Sequence, residues 1–386
     1  MRILMLNYEY PPIGGGASPI TRALSEHLAQ AGHDVDVVTM GYGRLPFFEQ
    51  FGRLRVFRVP ALRRSPVRAI AVEMASYLVS GFVQCLRLTA LHRYDIIHAH
   101  FLMPTAPLAT LIGKLRNIPV VVTIHGSDVP GYNPDRFQRG HKLLAPVWRR
   151  LVRSADAIVS PSHYLRDLLQ QQCPAEVDIV PYGFTPPPTR DIARQKRILF
   201  ASRLFPRKGA QHVLEALAGI DLDGWEVWIA GDGPILDDLQ AQARALGVAA
   251  QFPGFVKGAA LQELYASSAI FVLPSLRDNF PVVLLEAMSA GCAVITSNIS
   301  GMPEVVGNTG LLVTPGDVEQ IRAALVRLMN DAALRQELGR RSTARIAELH
   351  WDNILARYMA VYERVAHSNT FLPRHDETGS SVVEQL

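Results

Sequence analysis

Two cations stand directly after an apolar run in the second half of the chain, where they could hold a phosphate. Arg203 and Lys208 follow the run 198–201, and Gly209 then leads into a helical pattern. The N–H groups of a helix N-terminus and the donors of Arg and Lys all favour anions. Alone, an Arg and a Lys beside a helix more often form a solvated surface, so this phosphate site needs support from other motifs.

A second segment combines a helix start with a carboxylate in an apolar helix. Residues 278–281 precede the apolar stretch 282–288, and Pro281 is suited to begin a helix whose first amides would favour an anion. Glu286 lies about one and a half turns into that helix, where a carboxylate needs polar partners. The two hydroxyls of a ribose would satisfy it, and so would a structural salt bridge.

Glycines and histidines mark candidate ligand contacts in the first half of the chain. The glycines at 14–16 lie between a predicted strand and a predicted helix, and they either admit a ligand close to the backbone or form a structural turn. His125 follows the apolar strand 120–124, at a position where its side chain enters a cleft, although a lone His there is more often structural. His98 and His100 alternate at another strand end, and packing or acceptor contacts suit them better than metal ligation.

Short apolar runs alternate with amphipathic stretches along the whole chain, which is typical of parallel α/β sheets. In the first unit a strand is predicted at 2–6, a helix with Ser18 as its N-cap and Pro19 next, and a strand at 35–39. Further strands are predicted at 96–99, 120–124, 157–160, 177–180, 198–201, 225–230, 270–273, 293–296 and 311–313.

The proline-rich stretch 181–188 separates two series of strands, at a point where the charge balance changes sign. Residues 1–185 carry 20 Lys and Arg against 13 Asp and Glu, whereas residues 186–386 carry 19 against 22. Ligands of open α/β sheets bind beyond the carboxyl ends of the strands, so the site is expected in the cleft between the halves. The predicted divisions are a first domain at 1–183, a second at 184–350, a closing helix at 351–366 and a flexible tail at 367–386.

Taken together, these motifs resemble the donor site of retaining glycosyltransferases of family 4. The resemblance is carried by Arg203 and Lys208, followed by Asp278 and Glu286 with seven residues between them, and it covers about residues 1–366. Further matching segments are Gly15-Gly16, Thr123-Ile124-His125-Gly126, Pro181-Tyr182-Gly183, Gly231-Asp232-Gly233-Pro234 and Gly301-Met302-Pro303-Glu304. The resemblance implies the GT-B fold, an α/β architecture of two Rossmann-like doubly wound domains that face each other across a cleft. It also implies that the last helix crosses back to the first domain.

The resemblance assigns a role to each matched residue. Glu286 would hold the nucleotide ribose, Arg203 and Lys208 the diphosphate, and His125 would lie near the transferred sugar. The implied catalytic residues are His125, Arg203 and Lys208, and the implied donor-binding residues are Gly15, Gly16, Arg203, Lys208, Asp278, Asn279, Phe280, Pro281, Val282 and Glu286. The family usually has Glu-Gly where this chain has Asp278-Asn279, a departure that bears on which sugar is read rather than on the reaction.

The implied reaction is sugar transfer with retention at the anomeric carbon, from a UDP- or GDP-linked donor, with the leaving phosphate oxygen as base. We expect no cofactor and no metal. Asp34-Val35-Asp36 matches the Asp-x-Asp metal motif of the other large glycosyltransferase fold, but it begins a strand and is predicted to lie at the surface. Protein cations and helix N-termini would then stabilise the leaving diphosphate.

Composition limits the class of protein and its location. A chain of 386 residues with 48% hydrophobic and 19% charged residues buries a core, and its three scattered Cys predict reduced thiols. Arg2 is followed by too few apolar residues for a signal peptide, and no transmembrane segment is predicted, so a cytoplasmic location is expected. The segment 62–93 places arginines around an apolar helix, which either seats the first domain on an anionic membrane or belongs to the domain interior.

The favoured prediction is transfer of a sugar to a glycan, glycolipid or lipid-linked acceptor in bacterial cell-envelope or exopolysaccharide synthesis. A GT-B phosphorylase or a nucleotide-sugar epimerase would use a related cleft. A catalytically silent nucleotide-sugar-binding protein is compatible with Asp278 and Asn279. Nucleic-acid binding is not expected, because the basic residues are dispersed and no recognised motif interleaves aromatic residues with them.

Overall fold

Two open α/β sheets, one in each half of the chain, organise the computed structural model, which describes residues 1–66, 69–133, 138–188 and 192–370. The strands of the first sheet are β1 (Arg2–Leu6), β2 (Asp34–Met40), β3 (Phe48–Phe51), β4 (Leu54–Val59), β5 (Ile96–His100), β6 (Val120–Thr123), β7 (Ala157–Ser160) and β8 (Asp178–Ile179). They lie in the order β3-β4-β2-β1-β5-β6-β7-β8, and all pairs are parallel except β3 with β4. The accompanying helices are α1 (Ala17–Gln30), α2 (Ala71–Leu91), α3 (Thr105–Arg116), α4 (Gln138–Ser154) and α5 (His163–Gln172).

The second sheet has six parallel strands. They are β9 (Gln195–Ala201), β10 (Glu226–Ala230), β11 (Ala250–Gly254), β12 (Ser268–Leu273), β13 (Ala293–Ser297) and β14 (Gly310–Val313), in the order β11-β10-β9-β12-β13-β14. Its helices are α6 (Ala210–Leu217), α7 (Leu236–Ala245), α8 (Gly258–Ser267), α9 (Val282–Ser289), α10 (Met302–Val306), α11 (Val318–Asn330) and α12 (Ala332–Glu348), with a 3-10 turn at Pro206–Lys208. A last helix, α13 (Trp351–Thr370), follows.

The central strands are largely apolar and buried, because both faces of each sheet are covered by helices. All six residues of β12 are buried, as are all five of β5. One hydrophobic cluster lies under α2 to α5, and a second runs from α1 through α13 into the second domain. The two halves of the chain therefore share one hydrophobic core, which includes residues of α1 and α13.

Helix α13 packs against the first domain. Trp351 stacks on His27 of α1 at 5.1 Å between ring centroids, and Arg364 forms an ion pair with Asp178 of β8. The helix continues to Thr370, four residues beyond its predicted end, so the first residues of the predicted flexible tail are helical. The rest of that tail, 371–386, lies outside the described residues. The three Cys are buried and free, in agreement with the prediction of reduced thiols.

Two predictions about local structure, the start of α1 and the number of strands, are wrong. The N-cap of α1 is Gly16 rather than Ser18, which lies inside the first turn and donates its Oγ to the carbonyl of Ile13 at 2.6 Å. The prediction also missed strands β3, β4 and β11. Residues 48–59 mix exposed and buried positions at the sheet edge, so they lack the continuous apolar run by which the other strands were identified.

The prediction that Asp34-Val35-Asp36 lies at the surface is wrong for Asp36. Its side chain is buried and accepts two hydrogen bonds from Arg55, each of 2.6 Å, and one from Tyr94. Asp34 is half-buried and pairs with cations on either side of it. Because β2 lies between β1 and β4, arginines from neighbouring segments reach the start of β2. Both carboxylates form ion pairs with these arginines.

Candidate functional site

Two of the predicted donor-site residues, Lys208 and Asp278, meet beyond the carboxyl ends of β9 and β12, on the side that faces the first domain. Lys208 Nζ donates to Asp278 Oδ2, and the two side chains are only 10% and 15% exposed. Burial lowers the pKa of Lys208, while the neighbouring carboxylate opposes that shift. The resemblance assigns Lys208 to the diphosphate and Asp278 to the sugar, yet in the structure the two side chains contact each other.

The loop that carries Arg203 packs against Gly231 and Gly233, which lie in the turn after β10. A Cβ at Gly231 would lie 1.9 Å from the carbonyl oxygen of Ser202, and one at Gly233 would lie 2.2 Å from that of Leu204. Only glycine permits this approach, since real Cβ atoms do not come so close. Gly231 and Gly233 therefore have a structural role in this turn. Arg203 itself lies with its guanidinium 5.6 Å from the centre of the Phe205 ring.

Helix α9 begins as expected, with Pro281 as its N-cap, beyond the carboxyl end of β12, and the positive end of its dipole favours an anion there. Glu286 on this helix accepts a hydrogen bond of 2.9 Å from the hydroxyl of Tyr265. Burial raises the pKa of Glu286. No cation pairs with it in the part of the chain that the structure describes, so the salt-bridge alternative has no support there. One carboxylate oxygen is held by Tyr265 and the other is available for a polar ligand.

Asn279, which replaces the usual glycine, makes a contact between the domains. Its Oδ1 accepts a hydrogen bond of 2.6 Å from Ser162 Oγ, the N-cap of α5. Next to it, the ring of Phe280 meets Tyr182 edge-on, with 5.3 Å between centroids. Within the described residues the Asn279 amide nitrogen Nδ2 is buried without a partner. The Asn279 side chain thus ties residues 278–281, here called the donor loop after their predicted role, to the first domain.

The glycine loop of the first domain is held by a buried carboxylate. Gly15 N–H donates to Glu9 Oε2 at 2.8 Å, and Arg63 Nη2 lies 3.9 Å from the other oxygen. Burial raises the pKa of Glu9, and the positive charge of Arg203 across the cleft acts in the opposite direction. A Cβ at Gly16 would meet no atom within 4 Å, so open space adjoins the loop there. That space leaves room for a ligand to approach the backbone.

Both ring nitrogens of His125 are hydrogen bonded. Nδ1 lies 2.7 Å from the hydroxyl of Tyr182, and Nε2 lies 3.0 Å from Nδ1 of His100. Burial lowers the pKa of His125 to about 3, so the ring is neutral at pH 7. The buried carboxylate of Asp128 accepts the backbone N–H groups of His125 and Gly126, at 3.0 and 2.9 Å. These bonds fix the loop and orient the ring.

His98 has a packing role. It is buried, with Nδ1 2.7 Å from the hydroxyl of Tyr362 on α13 and Nε2 2.8 Å from Thr123 Oγ1. Among the described residues, no group of three His, Cys, Asp or Glu side chains is arranged to hold a metal ion. His98 therefore connects α13 to β6, the strand that precedes His125.

Sequence reasoning missed several residues that shape the site. Tyr182 lies in the matching segment Pro181-Tyr182-Gly183, which by itself indicates no role for the tyrosine. Asp128 lies three residues after His125, a spacing that suits a side chain capping its own loop. No sequence signal pointed to Glu9 or to Tyr265, which meet their partners only in the folded chain.

The chain matches two known families, one in each half. Residues 14–186 match the family described as Glycosyltransferase Family 4, and residues 188–345 match Glycosyl transferases group 1. An uncharacterized glycosyltransferase of Methanocaldococcus jannaschii is 29% identical over 388 residues, which cover 94% of this chain and 98% of the relative. MMP alpha-(1->4)-mannosyltransferase of Mycolicibacterium hassiacum is 26% identical over 417 residues, with coverages of 94% and 98%.

Solved structures resemble the chain over almost its whole length. Sucrose-phosphate synthase from Thermosynechococcus elongatus superposes with a TM-score of 0.80 at 22% identity, covering 95% of this chain and 99% of that one. HepE from Anabaena, solved in complex with UDP and glucose, gives a TM-score of 0.71 at 18% identity, with coverages of 94% and 99%. At these identities the likeness shows the shared fold.

Proposed function

The chain belongs to the family 4 glycosyltransferases and has the GT-B fold, and on that premise we propose that it transfers a sugar with retention from a nucleoside diphosphate sugar. The acceptor we propose is a hydroxyl of a glycan, glycolipid or lipid-linked sugar of the bacterial cell envelope or an exopolysaccharide. The proposal applies to the cleft between the two sheets.

The observation that carries this proposal is the grouping of Lys208, Asp278 and Glu286 around the start of α9. A buried ammonium, an N-terminal helix end and a carboxylate with a free oxygen match the diphosphate and ribose of a nucleotide. The UDP bound to the HepE structure, which has the same fold, gives further support.

In the proposed reaction the protein stabilises the charge that develops on the leaving diphosphate. Lys208 and Arg203 would donate to its oxygens, and the first amides of α9 would add the positive end of the helix dipole. Because His125 is neutral and held at both nitrogens, it would contact the sugar without exchanging a proton. The departing phosphate oxygen would then take the proton of the attacking hydroxyl.

We propose that this reaction needs no metal ion. Lys208, Arg203 and the start of α9 supply the positive charge that a divalent cation provides in other transferases. Turnover should therefore persist in excess EDTA and should not require added magnesium or manganese. Complete loss with EDTA and recovery with either metal would contradict this assignment.

A thermal-shift screen with UDP, GDP and their sugars tests the proposed donor class. A ligand at one hundred times its dissociation constant stabilises the fold by about 2.7 kcal/mol. The donor that stabilises the protein is then incubated with acceptors, and NMR of the product reports the anomeric configuration. Retention supports the proposal; product formation that requires free phosphate indicates a phosphorylase, and binding with neither transfer nor hydrolysis indicates a silent binding protein.

We further propose that the first domain lies on an anionic membrane through α2, α3 and α4, which pack side by side. The only acidic residue in these helices is Glu73, whose buried carboxylate accepts the backbone N–H groups of Arg64 and of Ile70, the N-cap of α2. By length and composition α2 could also cross a membrane, but it packs on β2 and β4. Residues 67 and 68 of the predicted membrane segment 62–93 lie outside the described residues. Exposed apolar side chains on the three helices are Val72, Val79, Val83, Leu91, Leu111, Leu115, Leu143, Leu144 and Val147, and exposed cations are Arg87, Lys114, Arg116, Arg149, Arg150 and Arg153.

Vesicle co-sedimentation tests this surface. Binding to vesicles that contain phosphatidylglycerol should exceed binding to pure phosphatidylcholine, and the double variant Arg149→Glu/Arg150→Glu should weaken it at least thirtyfold, since each surface cation contributes about 1 kcal/mol. The matched control reverses two exposed cations of the second domain, Arg244→Glu and Lys257→Glu. Equal binding by both variants would contradict the proposed orientation.

A further inference from the structure

Tyr182 lies in the segment that connects the two sheets, and it contacts the candidate site from both sides. Its side chain is 6% exposed, and no role follows for it from the family motifs. We propose that Tyr182 is a positioning residue, which holds His125 in one orientation through its hydroxyl and couples that orientation to the donor loop through its ring. This inference rests on the proposed glycosyl transfer.

The hydroxyl of Tyr182 completes the hydrogen bonding of the His125 ring. It lies 2.7 Å from Nδ1, while His100 occupies Nε2 at 3.0 Å and stacks on the ring with 5.2 Å between centroids. A rotation of the imidazole would break both bonds inside a buried cluster, which is costly. The ring therefore keeps one orientation as long as both partners are present.

The unpaired atom of His100 indicates which nitrogen of His125 carries the proton. His100 Nε2 is buried and has no partner among the described residues. A buried N–H without an acceptor is rarer than an acceptor without a donor, so His100 carries its proton on Nδ1 and donates to His125 Nε2. His125 then carries its own proton on Nδ1 and donates to the oxygen of Tyr182.

The ring of Tyr182 extends this arrangement to the second domain. It meets Phe280 edge-on at 5.3 Å, and Phe280 directly precedes the N-cap of α9. The same ring lies 5.8 Å from His125. Because one side chain contacts both domains from the connecting segment, a movement of the donor loop changes the packing that orients His125.

Two substitutions separate the roles of the hydroxyl and the ring. Tyr182→Phe keeps the contact with Phe280 and removes the bond to His125, so nucleotide affinity should be unchanged while kcat falls about tenfold. Tyr182→Leu also removes the ring contact, so kcat should fall further and KM for the donor should rise. Nitrogen-15 NMR of the histidine rings should show His125 as a single Nδ1–H tautomer in the wild type and as a mixture in Tyr182→Phe.

The matched control is Tyr77→Phe, which removes another buried tyrosine hydroxyl, one bonded to the carbonyl of Val38 at 3.0 Å. It should lower stability to a similar extent while leaving kcat and the His125 signals unchanged. An unchanged tautomer and unchanged kcat in folded Tyr182→Phe would overturn the inference. The NMR measurement needs no substrate, so failure of the proposed transferase activity is detected separately.

Discussion

Lys208 and Asp278 form an ion pair in a nearly buried place, and the ammonium is the group we expect to meet the leaving diphosphate. Lys208→Ala should reduce turnover by about two to three orders of magnitude, as does loss of a preorganised donor to developing charge. Steady-state kinetics of the purified variant measure this. Lys196→Ala is the control, because Lys196 is an exposed lysine of the same domain paired with Asp223. Unchanged turnover in a folded Lys208→Ala protein would remove Lys208 from the mechanism.

Substitutions of Glu286 and of Asp278 should have different effects on nucleotide binding, although both residues belong to one motif. Glu286→Ala should weaken free nucleotide and donor alike by about 1 to 3 kcal/mol, the cost of a lost charged acceptor. Asp278→Ala should spare nucleotide binding and impair transfer, because its expected partner is the sugar. Calorimetric titration with the nucleotide and assays across donor sugars distinguish the two variants.

A control for the Glu286 prediction comes from Tyr265, whose hydroxyl bonds to that carboxylate. Tyr265→Phe keeps the carboxylate, so it should cost less nucleotide affinity than Glu286→Ala. If wild type and Glu286→Ala bind nucleotide equally well, the assignment of Glu286 to the ribose is wrong.

At the scale of elements, the histidines of β5 make stability depend on pH. Burial lowers the pKa of His98 to about 3, so the folded protein keeps this ring neutral while the unfolded chain protonates it below about pH 6.5. Stability from this residue is therefore complete above pH 6.5 and falls as the pH drops toward 3. The slope is about 1.4 kcal/mol per pH unit for each such group.

Denaturant unfolding of His98→Gln tests this dependence. The variant keeps a polar side chain toward Tyr362 and Thr123 but takes up no proton, so its stability deficit at pH 7 should shrink by roughly 1 kcal/mol per pH unit below 6.5. His367→Gln, a replacement of an exposed histidine on α13, is the control. A deficit that stays constant from pH 7 to pH 5 would contradict the prediction.

At the scale of the whole molecule, Glu304 joins the two domains. Its carboxylate accepts the backbone N–H groups of His163 and Tyr164 at 2.7 and 2.9 Å, so a residue of α10 caps the N-terminus of α5 in the other domain. His163 Nδ1 also lies 2.8 Å from Glu304 Oε2. This cap favours the arrangement in which the cleft residues face one another.

Glu304→Ala should therefore shift the equilibrium from the domain arrangement described above toward arrangements in which the two domains lie farther apart. A lost hydrogen bond to a charged group costs about 1.5 to 3 kcal/mol, which corresponds to roughly a ten- to hundredfold change in that equilibrium. Small-angle scattering should show a larger radius of gyration, and transfer should slow. Glu319→Ala, which removes an exposed carboxylate on α11, should change neither quantity.

Much of the fold could be predicted because continuous apolar runs identify strands that are buried on both faces. The order of these runs predicted two parallel sheets, and the GT-B fold is confirmed. Edge strands such as β3 escaped because their residues are largely exposed. The start of α1 was misplaced by two residues, since Ser18 donates to a carbonyl of the preceding loop and does not accept at the helix N-terminus.

The sequence by itself determined which residues could bind a nucleotide sugar, because motif types and their positions after strands are local properties. Only the tertiary structure decided which side chains contact them. Arg55 reaches Asp36 from the adjacent strand, Tyr182 reaches His125 across 57 residues, and Glu304 reaches His163 across 141. Such partners leave no local pattern, since burial and hydrogen bonding arise when distant segments pack together. The charge and tautomer of a site residue therefore depend on contacts that exist only in the folded chain.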